Sequence, residues 1–363
     1  MSQRGPGTAQ PDRTGTMTRL IIPTRNRPVS AAQVLRYLAE FYPGSAVIVA
    51  DGSQPEYHAA YDAAIVAAGG RLALEYRRYD PRLPLADRLI DVLEALADEY
   101  VVVGADDDFP LLDELLSAEP FLADHPDYVL AIGAVLSLAF EPDGSLRARL
   151  MHARSIISDS PVARLLDYAR WPFPTSFALV RRTQLIARCR RLDLNAAPFF
   201  GDFTMGFHDL LAGKILALPQ LGYIRTVNAA HSKLRSDASA PPMAGDTETE
   251  AIARHYALLL ASEARLPADE ADALAARLVA ARIATKADPP HNRPFFAFDP
   301  LFREPVIRLQ YRSFRQLLRE GSPERRRHLS HLRFVVEGMR EVEAQAIDNA
   351  GEPKVYESLS AMQ

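Results

Sequence analysis

Residues 101–112 read VVVGADDDFPLL. The run from Tyr100 to Ala105 is apolar and rich in β-branched residues, as a strand buried on both faces requires. It leads straight into Asp106, Asp107 and Asp108. Adjacent carboxylates repel one another, and partial burial strengthens the repulsion. A bound cation or solvent relieves it, or the three acids only open a helix, where Asp and a first-turn Pro are both favourable.

The segments upstream choose a context for that strand. RLIIPT (19–24) and AVIVA (46–50) read as short buried strands, RLALEYRR (71–78) as a third, and YVVVGA (100–105) as the fourth. Between them lie helical patterns: one from about Ser30, YHAAYDAAIVAA (57–68) ending at Gly69-Gly70, and PLADRLIDVLEALADE (84–99). Strands alternating with helices of this length predict an α/β fold with a mostly parallel sheet and right-handed crossovers. In such sheets ligands bind outside the carboxyl ends of the strands. Three polar clusters fall there: Arg25-Asn26-Arg27, Asp51-Gly52-Ser53 and Asp106-Asp107-Asp108.

Downstream the pattern changes. Residues 128–152 predict two strands joined at an Asp-Gly turn, an antiparallel hairpin. SFALVRR (176–182) reads as a strand, TQLIARCRRL (183–192) as a helix, FFGDFTMGFHDLLAGKI (199–215) as a helix beginning near Gly201-Asp202, and LGYIRTV (221–227) as a late strand. KLRSDASAPPMAGD (233–246) is a linker or mobile loop by composition. Segments 247–264, 267–286, 303–319 and 323–346 predict amphipathic helices, with HNRPFFAFDP (291–300) as a connection. Residues 1–17 read as a disordered leader, with Met17 as an alternative start, and 347–363 as a polar tail.

Bulk properties exclude several classes. The chain has 363 residues, 48% of them hydrophobic, enough for a sizeable core. A net charge of −4 offers no global basic field for nucleic acid. Cys189 is the single cysteine, so there is no internal disulfide, and no Cys/His spacing reads as a zinc site. No apolar run reaches the roughly 18 residues of a membrane span, and the leader lacks the apolar middle of a signal peptide. A cytoplasmic location is the default expectation.

No glycine-rich phosphate loop lies between a strand and a helix, so neither a dinucleotide fingerprint nor a Walker A motif is present. Carboxylates holding Mg²⁺ or Mn²⁺ could neutralise a nucleotide diphosphate instead, because hard cations prefer oxygen ligands and bridge to phosphate. LIIPTRNRP, VIVADGS, VVVGADDDF, FFGDF and a His after the last strand, taken in this order and spacing, resemble family-2-type glycosyltransferases of the GT-A fold. The resemblance covers about 18–232 and implies a catalytic domain there, followed by the 233–246 linker and a helical region over 247–346. It implies a nucleotide-diphosphate sugar as donor and an acceptor hydroxyl on a glycan, a lipid-linked or a small molecule. It places Pro23, Thr24 and Arg25 along the nucleotide pocket, Asp51 on the base, and the Asp-x-Asp element at Asp106–Asp108. Alignment on Phe109 makes Asp107 the main metal ligand; literal spacing makes it Asp106 with Asp108. Asp202 would be the catalytic base of an inverting reaction, and His231 a further metal ligand.

The sequence departs from that pattern in having Ala50 where a first Asp is common, Gly201 in place of Glu, and only Ala86-Asp87-Arg88 near the place of the usual Asn. Structural readings stand beside the functional ones: an Asx turn for Asp51, a helix N-cap for Asp202, a surface histidine for His231 and a packed Trp171, which could otherwise stack on a sugar. His208 and Asp209 are secondary candidates for base or acceptor contact, and Cys189 is expected to be inert. A sugar-phosphate nucleotidyltransferase is a rival reading, although PTRNRP (23–28) lacks the glycines of its usual loop. A degenerate glycosyltransferase-like domain that binds a partner or nucleotide without turnover is another. The C-terminal helices could cover the site, bind the acceptor or form a homo-oligomer.

Overall fold

The structure, a computed structural model, describes residues 18–140, 146–151, 153–191, 200–227, 245–287, 296–299, 304–307 and 323–349. The strands are β1 (Arg19–Thr24), β2 (Ala46–Asp51), β3 (Ala73–Arg78), β4 (Tyr100–Val103), β5 (Asp108–Pro110), β6 (Tyr128–Phe140), β7 (Leu146–Met151), β8 (Ala178–Arg181), β9 (Lys214–Val227), β10 (Phe296–Asp299) and β11 (Glu304–Ile307). The α-helices are α1 (Pro28–Phe41), α2 (His58–Gly69), α3 (Leu85–Glu94), α4 (Leu112–Leu116), α5 (Glu119–Asp124), α6 (Pro161–Arg170), α7 (Arg182–Arg191), α8 (Gly201–Ala212), α9 (Asp246–Ser262), α10 (Ala268–Ala287) and α11 (Pro323–Asn349).

The main sheet runs β3-β2-β1-β4-β8-β6-β9-β5, with β7 on β6. β3, β2, β1 and β4 are mutually parallel, β8 enters antiparallel, and β6 and β9 pair in parallel. This is the α/β class with a mixed sheet flanked by helices that the sequence predicts. The central strands are continuous apolar runs: Leu20, Ile21, Ile22, Val47, Ile48, Val49, Val101 and Val102 are all buried. β3 closes the edge with ALEYRR, whose charged side chains guard the unpaired ladder.

Crossovers on opposite faces make two helical layers. On one face α1 packs on α2 and on α11; on the other α3, α7, α8, α6 and α10 form a contiguous row, with α9 on α10. Pro28 opens α1 at its first position, and Ala31, Val34, Leu35 and Leu38 bury one stripe at helical spacing. The chain leaves β1 for β2 on one side and returns past it to β4 on the other. The direction therefore reverses between β1 and β4, which opens a crevice at their carboxyl ends.

Several elements differ from expectation. Asp106–Phe109 open no helix: Asp108–Pro110 form β5 against β9, and α4 starts at Leu112. β9 extends back to Lys214, and the helix expected over 199–215 ends at Ala212. Residues 303–319 were expected to be helical, yet Glu304–Ile307 pair antiparallel with Phe296–Asp299 in a second, two-stranded sheet. EPVI joins Pro to two β-branched residues, and a ladder partner outweighs the weak helical period there. The expected Asp-Gly turn, the 233–244 linker, residues 308–319 and both chain ends lie outside the described residues.

Candidate active site

Two turns at the carboxyl ends of β1 and β2 lock one another. Asn26 takes a left-handed conformation at φ 57, which Asn tolerates better than most residues. Its backbone N–H donates to Ser53 Oγ at 2.7 Å, and the Gln54 N–H donates to Asn26 Oδ1 at 2.9 Å. Gly52 N–H continues the ladder to Thr24 O at 3.0 Å. Asp51 is 0% exposed. Its Oδ1 accepts from the Ser53 N–H at 2.8 Å and its Oδ2 from the Tyr76 hydroxyl at 2.7 Å. Asp51 thus shapes the Gly52-Ser53 turn from inside the protein, and the turn is itself buried, Ser53 being 0% exposed.

Beneath the same turns lies a cation from the Ala86-Asp87-Arg88 stretch. Arg88, in the first turn of α3, is buried and donates from Nη1 to Thr24 O at 2.9 Å and Ala50 O at 3.0 Å. It ties the ends of β1 and β2 together. Gly52 makes room for it, since a Cβ there would stand 2.6 Å from Arg88 Cζ. The burial lowers the guanidinium below its ordinary value, and the charge of Arg25 adds to that.

The acidic turn follows β4. Asp106 is buried; its Oδ2 accepts from the Thr24 hydroxyl at 2.7 Å and its Oδ1 from Arg27 Nη1 at 3.0 Å. The same Nη1 donates to Asp107 Oδ2 at 2.9 Å. Because the Thr24 proton is spent on Asp106, Tyr61 donates to Thr24 Oγ1 at 2.6 Å, and the Tyr61 oxygen accepts from the Arg27 N–H at 3.0 Å. Asp108 turns the other way. It lies opposite Arg225 on β9 and its Oδ1 accepts from the Thr226 N–H at 3.0 Å. Burial pushes both the Asp106 and the Asp108 carboxyls up; Arg27 opposes the shift at Asp106, and the Asp107 charge adds to it at Asp108.

One cationic nitrogen within 3.0 Å of oxygens on both Asp106 and Asp107 shows that these two carboxylates can share a single positive charge. Their oxygen chemistry fits a hard divalent cation that completes its shell with water and phosphate oxygens. Of the three aspartates the geometry pairs Asp106 with Asp107, whereas Asp108 faces the β9 backbone. No group of three His, Cys, Asp or Glu side chains converges among the described residues. His231 lies outside them.

The remaining candidates are spread around this centre. Pro23 is half-buried opposite Ala50, and Arg25 is exposed at the end of β1. Asp202 is exposed in the first turn of α8, and no hydrogen bond or ion pair among the described residues joins it to the acidic turn. His208 and Asp209, on the same helix, are fully buried core groups and offer nothing to an acceptor. His208 Nε2 meets His255 Nε2 at 3.3 Å, and Asp209 pairs with Arg188 at 2.8 Å. Trp171 is half-buried at the end of α6. Burial pushes the Cys189 thiol up, in keeping with an inert role. Tyr61 and Tyr76 carried no signal in the sequence, whereas Arg27 and Arg88 stood in the Arg25-Asn26-Arg27 and Ala86-Asp87-Arg88 stretches without an assigned role.

No protein-family profile matches the chain, and no curated protein sequence does. Among solved structures it is similar to S. aureus TarS 1–349 in complex with UDP-GlcNAc, at 15% identity and a TM-score of 0.49, over 74% of this chain and 73% of that one. A second structure of TarS 1–349 matches at 13% identity and a TM-score of 0.48, over 91% and 83%. The mannosyltransferase PcManGT from Pyrobaculum calidifontis, in complex with GDP-Man and Mn²⁺, is similar at 16% identity and a TM-score of 0.41, over 94% and 91%.

Proposed function

We propose that the chain is a glycosyltransferase that takes a nucleotide-diphosphate sugar and passes the sugar to an acceptor hydroxyl. The observation that carries this reading is the meeting of Arg27, Asp106 and Asp107 beside the interlocked Thr24–Arg27 and Asp51–Gln54 turns, at the crevice between β1 and β4. Pro23, Thr24 and Arg25 line the nucleotide side of the crevice, and Asp51 and Arg88 hold its floor. Asp106 and Asp107 would hold Mg²⁺ or Mn²⁺. When bound, the cation supplies positive charge against the negative charge that gathers on the leaving diphosphate. Asp202, exposed at the start of α8, is the carboxylate assigned to take the acceptor proton as the hydroxyl attacks the anomeric carbon. Attack opposite the leaving group inverts that carbon.

Thermal melts with a panel of nucleoside diphosphates and nucleotide sugars, in Mn²⁺ or EDTA, test the reading. One base should stabilise the wild type in Mn²⁺, by about 2.7 kcal/mol at roughly 100 times its Kd. The Asp106→Asn/Asp107→Asn protein should lose that shift. Asp202→Asn should keep it while sugar transfer falls about a hundredfold or more. No shift with any nucleotide would overturn the proposal in favour of a degenerate domain, and pyrophosphate release from a nucleoside triphosphate would favour the nucleotidyltransferase.

A further inference from the structure

We infer that Arg27 is a built-in counter-cation that exchanges with the divalent ion: it bridges Asp106 and Asp107 in the free protein, and the diphosphate of an arriving nucleotide draws it away. This rests on the donor site proposed above and concerns how that site is kept before the donor arrives.

The first argument is position. Arg27 Nη1 lies 3.0 Å from Asp106 Oδ1 and 2.9 Å from Asp107 Oδ2, the point that a cation shared by both carboxylates would take. A divalent ion and a guanidinium cannot occupy it together. The second argument is attachment. The backbone of Arg27 is fixed, its N–H donating to the Tyr61 hydroxyl at 3.0 Å and its carbonyl accepting from Ala31 at 3.1 Å as α1 begins. The guanidinium, by contrast, is held among the described residues by the two carboxylates alone, through one nitrogen. Its side chain is 33% exposed, against 7% for Asp106 and 18% for Asp107, so its outer edge meets solvent where a phosphate can approach. The third argument is what remains after it leaves. Asp106 keeps the Thr24 hydroxyl at 2.7 Å and stays aimed at the shared point.

The exchange has a thermodynamic consequence. A divalent ion arriving alone must strip the guanidinium from two carboxylates and leave it without an anionic partner. A diphosphate arriving with it offers the planar guanidinium paired oxygens, a partner that suits its fork of donors. Nucleotide and cation therefore strengthen one another's binding, by the same factor in each direction.

Free Mn²⁺ measured by electron paramagnetic resonance, during titration of the protein with and without saturating UDP or GDP and with the Mn²⁺ held by the nucleotide alone subtracted, reads this coupling without reference to turnover. Wild-type protein should bind Mn²⁺ weakly alone and about tenfold or more tightly with the nucleotide. Arg27→Met should bind Mn²⁺ alone more tightly than wild type and gain less from the nucleotide than wild type does, since direct phosphate ligation of the cation persists without the arginine. Arg27→Lys, which keeps a competing charge, should fall between them. Circular dichroism melts in EDTA establish that each variant folds; should Arg27→Met not fold, Arg27→Gln replaces it. Mn²⁺ affinity that does not rise on removing Arg27, or a nucleotide that binds wild type equally in EDTA and Mn²⁺, overturns the exchange and leaves the donor site standing. Wild type that binds no nucleotide under any condition overturns the donor site, and the exchange with it.

Discussion

His208 shows how far the surroundings of one side chain can depart from its place in the sequence. Its position in α8, two turns after Asp202, suggested a group facing the acceptor, yet it is 0% exposed. Burial first, then the neighbouring His255, lower the imidazole to about 3, against roughly 6.5 in an unfolded chain. Arg191 and Arg188 push the same way. Below roughly pH 6.5 the unfolded chain takes up a proton that the folded protein refuses, so stability falls on acidification through that window, by about 1.4 kcal/mol per pH unit. Above it the histidine contributes no pH dependence. Urea unfolding of wild type and His208→Gln at pH 7.5, 6, 5 and 4 should show the variant flatter in acid by about 1 kcal/mol per unit. Parallel curves would mean that water or a rearranged helix lets His208 ionise in the fold. The residue was misread because what buries it, His255 on α9, lies 47 positions away. Arg27 was legible as part of a polar cluster after β1, but its pairing was not: its partners are 79 and 80 positions distant, and spacing along a chain says nothing of such meetings. The aspartates themselves were legible because a charged triplet after a buried strand conflicts with its surroundings unless something answers it.

Among elements, the parallel strands were the easiest to read. RLIIPT and AVIVA carry their burial in their own composition, and β1 and β2 appear within a residue of where they were expected. α8 shows what composition leaves out. Its carboxyl end lacks a basic residue in the last turn, and Gly213 follows in an extended conformation. Its terminal carbonyls are met from another helix. Arg164 of α6, 5% exposed, donates from Nε to Leu210 O at 2.7 Å and from Nη2 to Leu211 O at 3.1 Å, while Nη1 reaches Ser158 O and Asp159 O. One guanidinium thus satisfies the end of α8 and the loop before α6, and favours the negative end of the helix dipole. Arg164→Met should leave these acceptors in an apolar setting and cost about 3 kcal/mol in urea unfolding. Arg164→Lys should recover only part of it, since a point charge cannot fork between two carbonyls. A loss within about 0.5 kcal/mol for Arg164→Met, the range of an ordinary surface substitution, would show that water caps α8 as well as the arginine does.

The division of the chain into a sheet domain and a helical appendage looks natural in the sequence, because the strand pattern stops near residue 227 and helices follow. The packing argues for one cooperative unit. Leu332, Val335, Met339 and Val342 bury a stripe of α11 spaced by three and four residues, and α11 packs on α1. Tyr37 of α1, 0% exposed, has its ring 5.1 Å from Phe109 and 5.8 Å from Phe334. Its hydroxyl donates to Pro110 O at 3.1 Å, so His331 Nδ1, at 2.9 Å, is the donor to the Tyr37 oxygen. Gln33 Nε2 donates to Gly338 O at 2.6 Å. α11 therefore supports, through Tyr37, the strand β5 that begins at Asp108. Ending the chain at Ser322 removes that support and uncovers Tyr37. Each of the four apolar side chains of the stripe contributes about 2 kcal/mol when buried, and their sum is comparable to the whole stability of an ordinary domain, about 5–15 kcal/mol. The shortened chain should lose its cooperative thermal transition or melt far below the full chain, and should bind a hydrophobic dye at temperatures where the full chain does not. Val335→Asp, which places an unpaired charge at a 0% exposed position, should act in the same direction in an otherwise complete protein. A shortened chain that melts with the full chain, and still binds nucleotide, would make α11 a separate body and sever the connection from α11 to the acidic turn.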